Sequence, residues 1–306
     1  MIDVLLQTLP FFLLIAVGYG AGRTGFFPEE ATAWLTRFVF YFALSAMLFR
    51  FSANLTLAEV FDLPFVWAYL TGTMAVYLLV TSVALLRGRG VEEAAVEAQC
   101  GVVGNVGFLG VPMLVMLLGE AAIGPVMLVL ACDLIVFGSL IVIVITARRD
   151  GRLSPGVLLS VGLGLLKNPM IVSISLGLLW SASTWQLPGP INDFLAILGA
   201  AATPGALFAI GASLASKSAE RLAVAVWLSF AKLVLHPAAV AAMAYFVFSV
   251  EAYSAGVMIA AAALPVAGNV FILAQHYGVA PQRVSATILI STALSILTVS
   301  AIIAGL

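Results

Sequence analysis

Gly104-Asn105-Val106-Gly107-Phe108-Leu109-Gly110-Val111-Pro112 is the stretch on which the reading of this chain turns. It lies in an apolar run, yet glycine recurs every third residue from Gly101, a lone amide sits at Asn105, and Pro112 closes it. Proline removes a helix hydrogen bond and glycine weakens the turn, so the run predicts an interrupted helix. A second stretch, Ala263-Leu264-Pro265-Val266-Ala267-Gly268-Asn269-Val270, repeats Gly-Asn-Val 164 positions on, again beside a proline. The alternative is a small-residue packing seam with simple proline kinks, common in membrane helices. Recurrence in corresponding places of two halves favours two broken helices that cross.

The surrounding composition fixes the solvent. The 306 residues are 63% hydrophobic and 9% charged, with a mean hydropathy of +1.18. Soluble domains carry about 25% charged residues. Thirteen basic and 14 acidic residues cannot clothe a surface of this size, so the exterior faces lipid. A formal charge of -1 offers no field for phosphate backbones, which excludes a nucleic-acid partner. Cys100 and Cys132 lie in apolar runs without paired spacing, so no disulfide, metal site or cofactor is expected.

A bilayer core of about 30 Å takes roughly 20 helical residues to cross. Ten apolar runs meet or approach that length: 2–21, 31–50, 61–86, 93–118, 121–147, 169–184, 191–215, 221–249, 252–277 and 282–304. The fold class expected is an all-α integral membrane protein of ten transmembrane helices. Continuous runs such as Ile135 to Ile145 exclude an outer-membrane barrel, whose strands alternate. Positive residues gather in the odd loops (Arg23; Arg87 and Arg89; Arg148, Arg149 and Arg152; Lys217 and Arg221; Arg283), with Lys167 closing the fifth connection and Arg50 alone opposite. Positive charge stays cytoplasmic, so both termini are expected outside, in the periplasm of a multi-pass inner (plasma) membrane protein.

The chain also repeats itself. Pro10 aligns with Pro169 and Gly18 with Gly177 at an offset of 159, Pro28 with Pro188 at 160, and the two Gly-Asn-Val tripeptides at 164. Residues 1–147 form a first repeat of five helices, 148–168 a cytoplasmic or interfacial linker containing Ser154-Pro155-Gly156, and 169–306 the second repeat. Five is odd, so the second half enters the membrane from the opposite side. Inverted repeats of this kind place substrate near the bilayer midplane, at the ends of discontinuous helices. Helices four and nine are the discontinuous pair here, their freed N–H groups an anion-attracting patch to which Asn105 and Asn269 add amides. The aromatic residues Trp34, Trp67, Trp180, Trp185 and Trp227 read as interface anchors.

Ionisable residues within the spans are costly and so are weighed singly. Asp133, in helix five, is either a carboxylate that couples a proton or sodium ion, or a hydrogen-bonded structural acid. Lys232, in helix eight, either balances an anionic substrate or pairs with Asp133. His236, one turn on and before Pro237, either relays protons or bonds a carbonyl that the proline frees. Glu97 and Gln99 line an inner vestibule, or Glu97 is solvated beside Glu92 and Glu93.

Asn105-Val106-Gly107-Phe108-Leu109-Gly110-Val111-Pro112 resembles the fourth-helix signature of the auxin efflux carrier family. Ala263-Leu264-Pro265 followed by Phe271, Ala274 and Tyr277 resembles its ninth-helix signature. Lys167-Asn168-Pro169 is similar to the Asn-Pro that opens its sixth helix, and Lys232-Leu233-Val234-Leu235-His236-Pro237 to its eighth. The resemblance covers nearly the whole chain. It implies an NhaA-like fold with scaffold and transport domains, elevator-type alternating access, homodimers, and organic-anion substrates: auxin in plants, malonate, malate or similar carboxylates in bacteria. The long central loop of many plant members is missing, which gives the chain a bacterial look.

The site expected is therefore Asn105, Gly107, Gly110, Pro112, Pro265, Gly268, Asn269 and Asn168 around the substrate, with Asp133, Lys232 and His236 for ion coupling. An enzyme is not expected: no HExxH, paired intramembrane aspartates or Ser/His/Asp set is present. A channel would need rings of polar groups. Within carriers, the alternative is a sodium- or proton-coupled symporter or exchanger of the same fold, of the sodium/bile-acid type.

Overall fold

The computed structural model describes residues 2–55, 62–150, 155–183, 185–215 and 222–305. Every regular element among them is helical, with one isolated antiparallel bridge between Gly104 and Val266. In chain order the helical segments are α1 (Ile2–Arg23), α2 (Glu29–Asn54), α3 (Leu63–Leu86), α4 (Val91–Val102), α5 (Val106–Leu118), α6 (Glu120–Arg149), α7 (Pro155–Lys167), α8 (Pro169–Ala182), α9 (Gly189–Ala215), α10 (Leu222–Val247), α11 (Ala252–Ala262), α12 (Gly268–Tyr277) and α13 (Pro281–Ile303).

Among the described residues, six helices are long and apolar enough to cross a bilayer: α2, α3, α6, α9, α10 and α13. A seventh span is obtained if α8 is joined to the end of α7 across a 72° bend. Length alone therefore does not return ten. For two of the expected spans the physical reason lies in α4, α5, α11 and α12: at 1.5 Å per residue, pieces of this length reach only about half of a 30 Å core. Arg152, Ser154, Lys217 and Arg221, part of the loop-charge and linker reading, lie outside the described residues.

Two close helix crossings organise one side of the molecule. α1 runs against α9, and α8 against the second half of α2. Each crossing depends on glycine. A Cβ at Gly18 would stand 2.1 Å from the Phe208 carbonyl oxygen, and one at Gly177 2.7 Å from the Phe49 carbonyl oxygen. Backbones approach this closely only where the side chain is a hydrogen. On the other side, α3, α4, α6, α10, α11 and α13 enclose most of the fully buried residues, including Phe65, Tyr69, Leu109, Met113 and Phe137.

Several spans widen locally into π-type turns: 39–43 in α2, 106–110 in α5, 133–137 in α6, and 231–235 and 243–247 in α10. A π turn leaves one carbonyl unpaired and turns side chains out of helical register. In α6 the Phe137 carbonyl, at the end of such a turn, accepts Gln99 Nε2 at 3.1 Å.

Candidate functional site

The first interruption falls at residues 103–105, where Val103 (φ -80°, ψ 111°) leaves helical geometry and Asn105 (φ -76°, ψ 52°) turns the chain into α5. The second falls at 263–267, with Pro265 inside it. The two extended segments lie antiparallel. Asn105 N–H donates to the Pro265 carbonyl at 2.8 Å, and Ala267 N–H donates to the Val103 carbonyl at 3.1 Å. Backbone groups freed by the breaks thus satisfy one another where lipid offers no partner. Both stretches are interrupted, and the interruptions are bonded to each other, with one shift of detail. Pro112 does not break the first helix; it lies inside α5, directly after the π turn 106–110, and the backbone is helical on both sides of it.

Because residues 103–105 are extended, the N–H groups of Val106, Gly107 and Phe108 have no acceptor one turn back. The Asn105 carbonyl instead accepts Leu109 N–H at 3.1 Å and Gly110 N–H at 2.9 Å. Gly268 and Asn269 open α12 in the same way, and both are exposed, while Asn105, Gly107, Gly110, Pro112 and Pro265 are buried. Asn168 caps α8, its Oδ1 accepting Met170 N–H at 2.9 Å. That cap directs the first turn of α8 at the crossing: a Cβ at Gly107 would meet Met170 Cε at 2.4 Å. From α2, Phe40 stacks on Phe108 with centroids 6.1 Å apart and planes 6° from parallel. Gly110 is covered by Leu264.

A buried polar cluster adjoins the crossing. Lys232 Nζ donates to the Ala262 carbonyl, the last residue of α11, and to His236 Nδ1 at 3.2 Å. With Nδ1 accepting, His236 Nε2–H donates to Thr73 Oγ1 at 2.9 Å. Tyr69 O–H donates to Asp133 Oδ1 at 2.7 Å, and Asp133 Oδ2 has no hydrogen-bond partner. Among the described residues no ion pair within 4.0 Å joins Asp133 to Lys232. The direct pair weighed from sequence is replaced by a lysine on a helix-end carbonyl and an acid on a tyrosine. His236 Nδ1 also lies 3.2 Å from the Ala262 carbonyl, but while it accepts from Lys232 it has no proton to give that oxygen, so the freed carbonyl is held by the lysine and the break that frees it is Pro265, not Pro237.

Two partners in this cluster escaped the sequence reading. Tyr69 and Thr73 are one turn apart on α3 and both fully buried. Polar-tipped residues at i and i+4 in an apolar span were the available signal. A second correction concerns Glu97. It is not solvated: its carboxylate is fully buried and accepts from both Arg87 and Arg283. Arg283, read as a loop residue, is buried in the first turn of α13 and also reaches Glu93 at 3.2 Å.

Interrupted helices joined at a polar centre are the architecture of membrane carriers. A family profile described as "Membrane transport protein" matches residues 3–303. The chain belongs to that family, the auxin efflux carriers. A relative from Rhizobium meliloti (strain 1021), named "Putative malonate transporter", is 33% identical over 305 residues, covering 96% of this chain and 93% of its own length. The protein is a multi-pass membrane transporter.

Proposed function

We propose that the chain is a secondary carrier of small organic anions, dicarboxylates of malonate size foremost, working by elevator-type alternating access in the inner membrane. One observation carries this reading. At the crossing, the N–H groups of Val106 to Phe108 and of Gly268 and Asn269 open two helices beside the amides of Asn105 and Asn269. Helix N-termini carry partial positive charge, so a carboxylate is attracted there without a formal cation on the surface. The malonate name of the relative supports the substrate class; auxin-like acids are the larger members of the same class.

The reading takes the helices as a ten-span, five-plus-five inverted repeat of the NhaA-like kind, with both termini outside and residues 148–168 as the connection. The glycine crossings support it. Gly18 and Gly177, equivalent by the repeat, back onto Phe208 and Phe49, which the repeat also makes equivalent. α1, α2, α8 and α9 then serve as scaffold, paired through a homodimer, and the remaining helices as the moving body. Met170 on Gly107 and Phe40 on Phe108 are contacts across the sliding face, with Asn168 as the scaffold's polar contribution.

Malonate uptake into proteoliposomes tests the reading, with Asn105→Ala as the variant. Uptake is expected to be lost while the melting temperature stays within a few degrees of the parent, since Asn105 forms its structural hydrogen bonds through backbone atoms. Full uptake by Asn105→Ala refutes the site.

A further inference from the structure

Away from the crossing, α5 ends at Leu118, α10 at Val247 and α13 at Ile303, and these three ends gather around a cavity of about 390 Å³. Leu118, Tyr245 in the last turn of α10, and Gly305 just past α13 all line it. The last carbonyls of a helix find no partner within it and carry about half a negative charge. The start of α11 also borders the cavity, but its positive end is already met by Glu251. The Glu251 Oε1 accepts Tyr253 N–H at 2.9 Å and its Oε2 accepts Ser254 N–H at 2.8 Å. Each carboxylate oxygen keeps a lone pair for a further donor. Among the described residues no lysine, arginine or histidine nitrogen lies within 4.0 Å of that carboxylate. The charge around the cavity is negative and unbalanced.

The lining decides which kind of cation fits. Metal ions are held by a close shell of several oxygen, nitrogen or sulfur ligands, and no group of three His, Cys, Asp or Glu side chains able to hold one occurs among the described residues. Here a single carboxylate stands with two phenol rings, Tyr245 and Tyr253, all exposed, above a buried lining of Gly256 and Val257. Tyr253 is fixed in place, its O–H donating to the Leu118 carbonyl at 2.7 Å. Aromatic rings beside a negative charge are the chemistry that recognises ammonium groups bearing carbon substituents. The volume also suits one, since pockets for small molecules begin at about 300 Å³.

We propose that this cavity binds a small organic ammonium group, quaternary by preference, between the ends of α5 and α11 that lie remote from the crossing. The group arrives free in solution or as the headgroup of a bilayer lipid; both present the same chemistry. The site is separate from the anion site and stands whether or not the carrier moves malonate.

The test is a melting titration of detergent-purified protein in which choline replaces sodium at constant ionic strength. A saturable rise of the midpoint is expected, because a ligand that binds the folded state stabilises it. The neutral analogue of choline, with carbon in place of the quaternary nitrogen, is expected to give none. Tyr245→Leu removes one exposed ring and should raise the half-saturating choline concentration about tenfold, whereas Tyr245→Phe keeps the ring and should respond as the parent does. Glu251→Gln should lose the response. If Glu251→Gln does not fold, the Tyr245 pair decides alone. Absence of a saturable rise overturns the proposal, as does an equal rise with the neutral analogue, with sodium or with calcium, or a Tyr245→Leu response matching the parent's. Titration calorimetry with a short-chain phosphatidylcholine below its micelle concentration separates the two sources: binding tighter than that of choline assigns the lipid headgroup, and binding no tighter assigns the free ammonium compound.

Discussion

Replacing Glu97 by glutamine keeps its shape and removes its charge, and the surrounding geometry sets the size of the loss. Glu97 is held by two arginines of unequal exposure: the Arg87 side chain is 30% exposed, that of Arg283 only 6%. Solvent reaches Arg87, so its pair with Glu97 is worth about 1 kcal/mol or less. Arg283 is different, because breaking a buried pair from one side leaves an uncompensated charge and costs about 3–5 kcal/mol. Glu93, 3.2 Å from Arg283 and 37% exposed, remains as a partial partner and pulls the figure to about 3 kcal/mol. At about 2 °C per kcal/mol for a chain of this size, the melting temperature should fall by about 6 °C. The double replacement Glu97→Met with Arg283→Met removes both charges and should recover most of the loss, since apolar substitutes for a buried pair are often neutral. Differential scanning fluorimetry of the parent, Glu97→Met, Arg283→Met and the double variant completes the cycle, with Glu97→Gln beside it. A Glu97→Gln midpoint within about 1 °C of the parent would show that water reaches this cluster and that the buried-pair argument fails.

Other outcomes follow from separate parts of the structure. Gly18→Ala puts a methyl 2.1 Å from the Phe208 carbonyl oxygen and Gly211→Ala one 1.9 Å from that of Ile15, so each should cost about 1–3 kcal/mol by forcing α1 from α9; unchanged melting would mean that the helices separate freely. Asp133→Asn keeps the Tyr69 hydrogen bond but cannot change charge, so uptake measured against pH should lose whatever limb Asp133 supplies; an unaltered profile with lowered stability assigns Asp133 a structural role. Glu251 caps α11, accepting the N–H groups of Tyr253 and Ser254 at 2.9 and 2.8 Å, and these bonds hold its carboxyl below the ordinary value of 4.5. A depressed folded pKa stabilises at neutral pH and the benefit is lost as pH falls through it, so Glu251→Gln should melt lower than the parent at pH 7 and converge with it towards pH 3; parallel curves would refute the cap's charge dependence.

The two breaks were legible because their cause is local. Glycine spacing around Asn105 and a proline at position 265 act on the turns that contain them, and both interruptions lie within a few residues of those signals. Pro112 was misjudged for an equally local reason: the wider π turn 106–110 directly before it absorbs the irregularity, so α5 continues through the proline instead of ending at it. The polar cluster was half legible. Lys232 and His236 announce themselves as charge in an apolar run, but their contact with Ala262 joins residues 30 and 26 positions apart through an alanine carbonyl, and no side chain marks it. The π turns that begin at Asp133 and enclose Lys232 were invisible, since the residues that widen a turn are the same aliphatic ones that fill an ordinary one.

Arg283 shows how one residue can mislead locally and inform globally. It was counted with the loop positives that set orientation, yet it is buried and paired with Glu93 and Glu97. Arg87, Arg89 and Arg149 are likewise paired, with Glu97, Glu93 and Glu92. The first turn of α4 thus gathers acids at a helix N-terminus, where they are favoured, and recruits arginines from three other helix ends. The orientation argument survives this, because it counts lysine and arginine, not net charge, near the ends of spans. It does change which charges matter mechanically. The end of α4 is tied to α13 by the buried Arg283–Glu97 pair and to α3 by the weaker Arg87–Glu97 pair, so in the proposed elevator cycle all three are expected to move together, and the crossing that α4 carries with them. Substituting cysteines at Ser82 and Thr298, exposed and half-buried on α3 and α13, and following their separation by spin-label distances during uptake tests this directly. In one moving body that distance stays constant while distances to α2 change; a change between α3 and α13 comparable with that to α2 would refute the rigid unit.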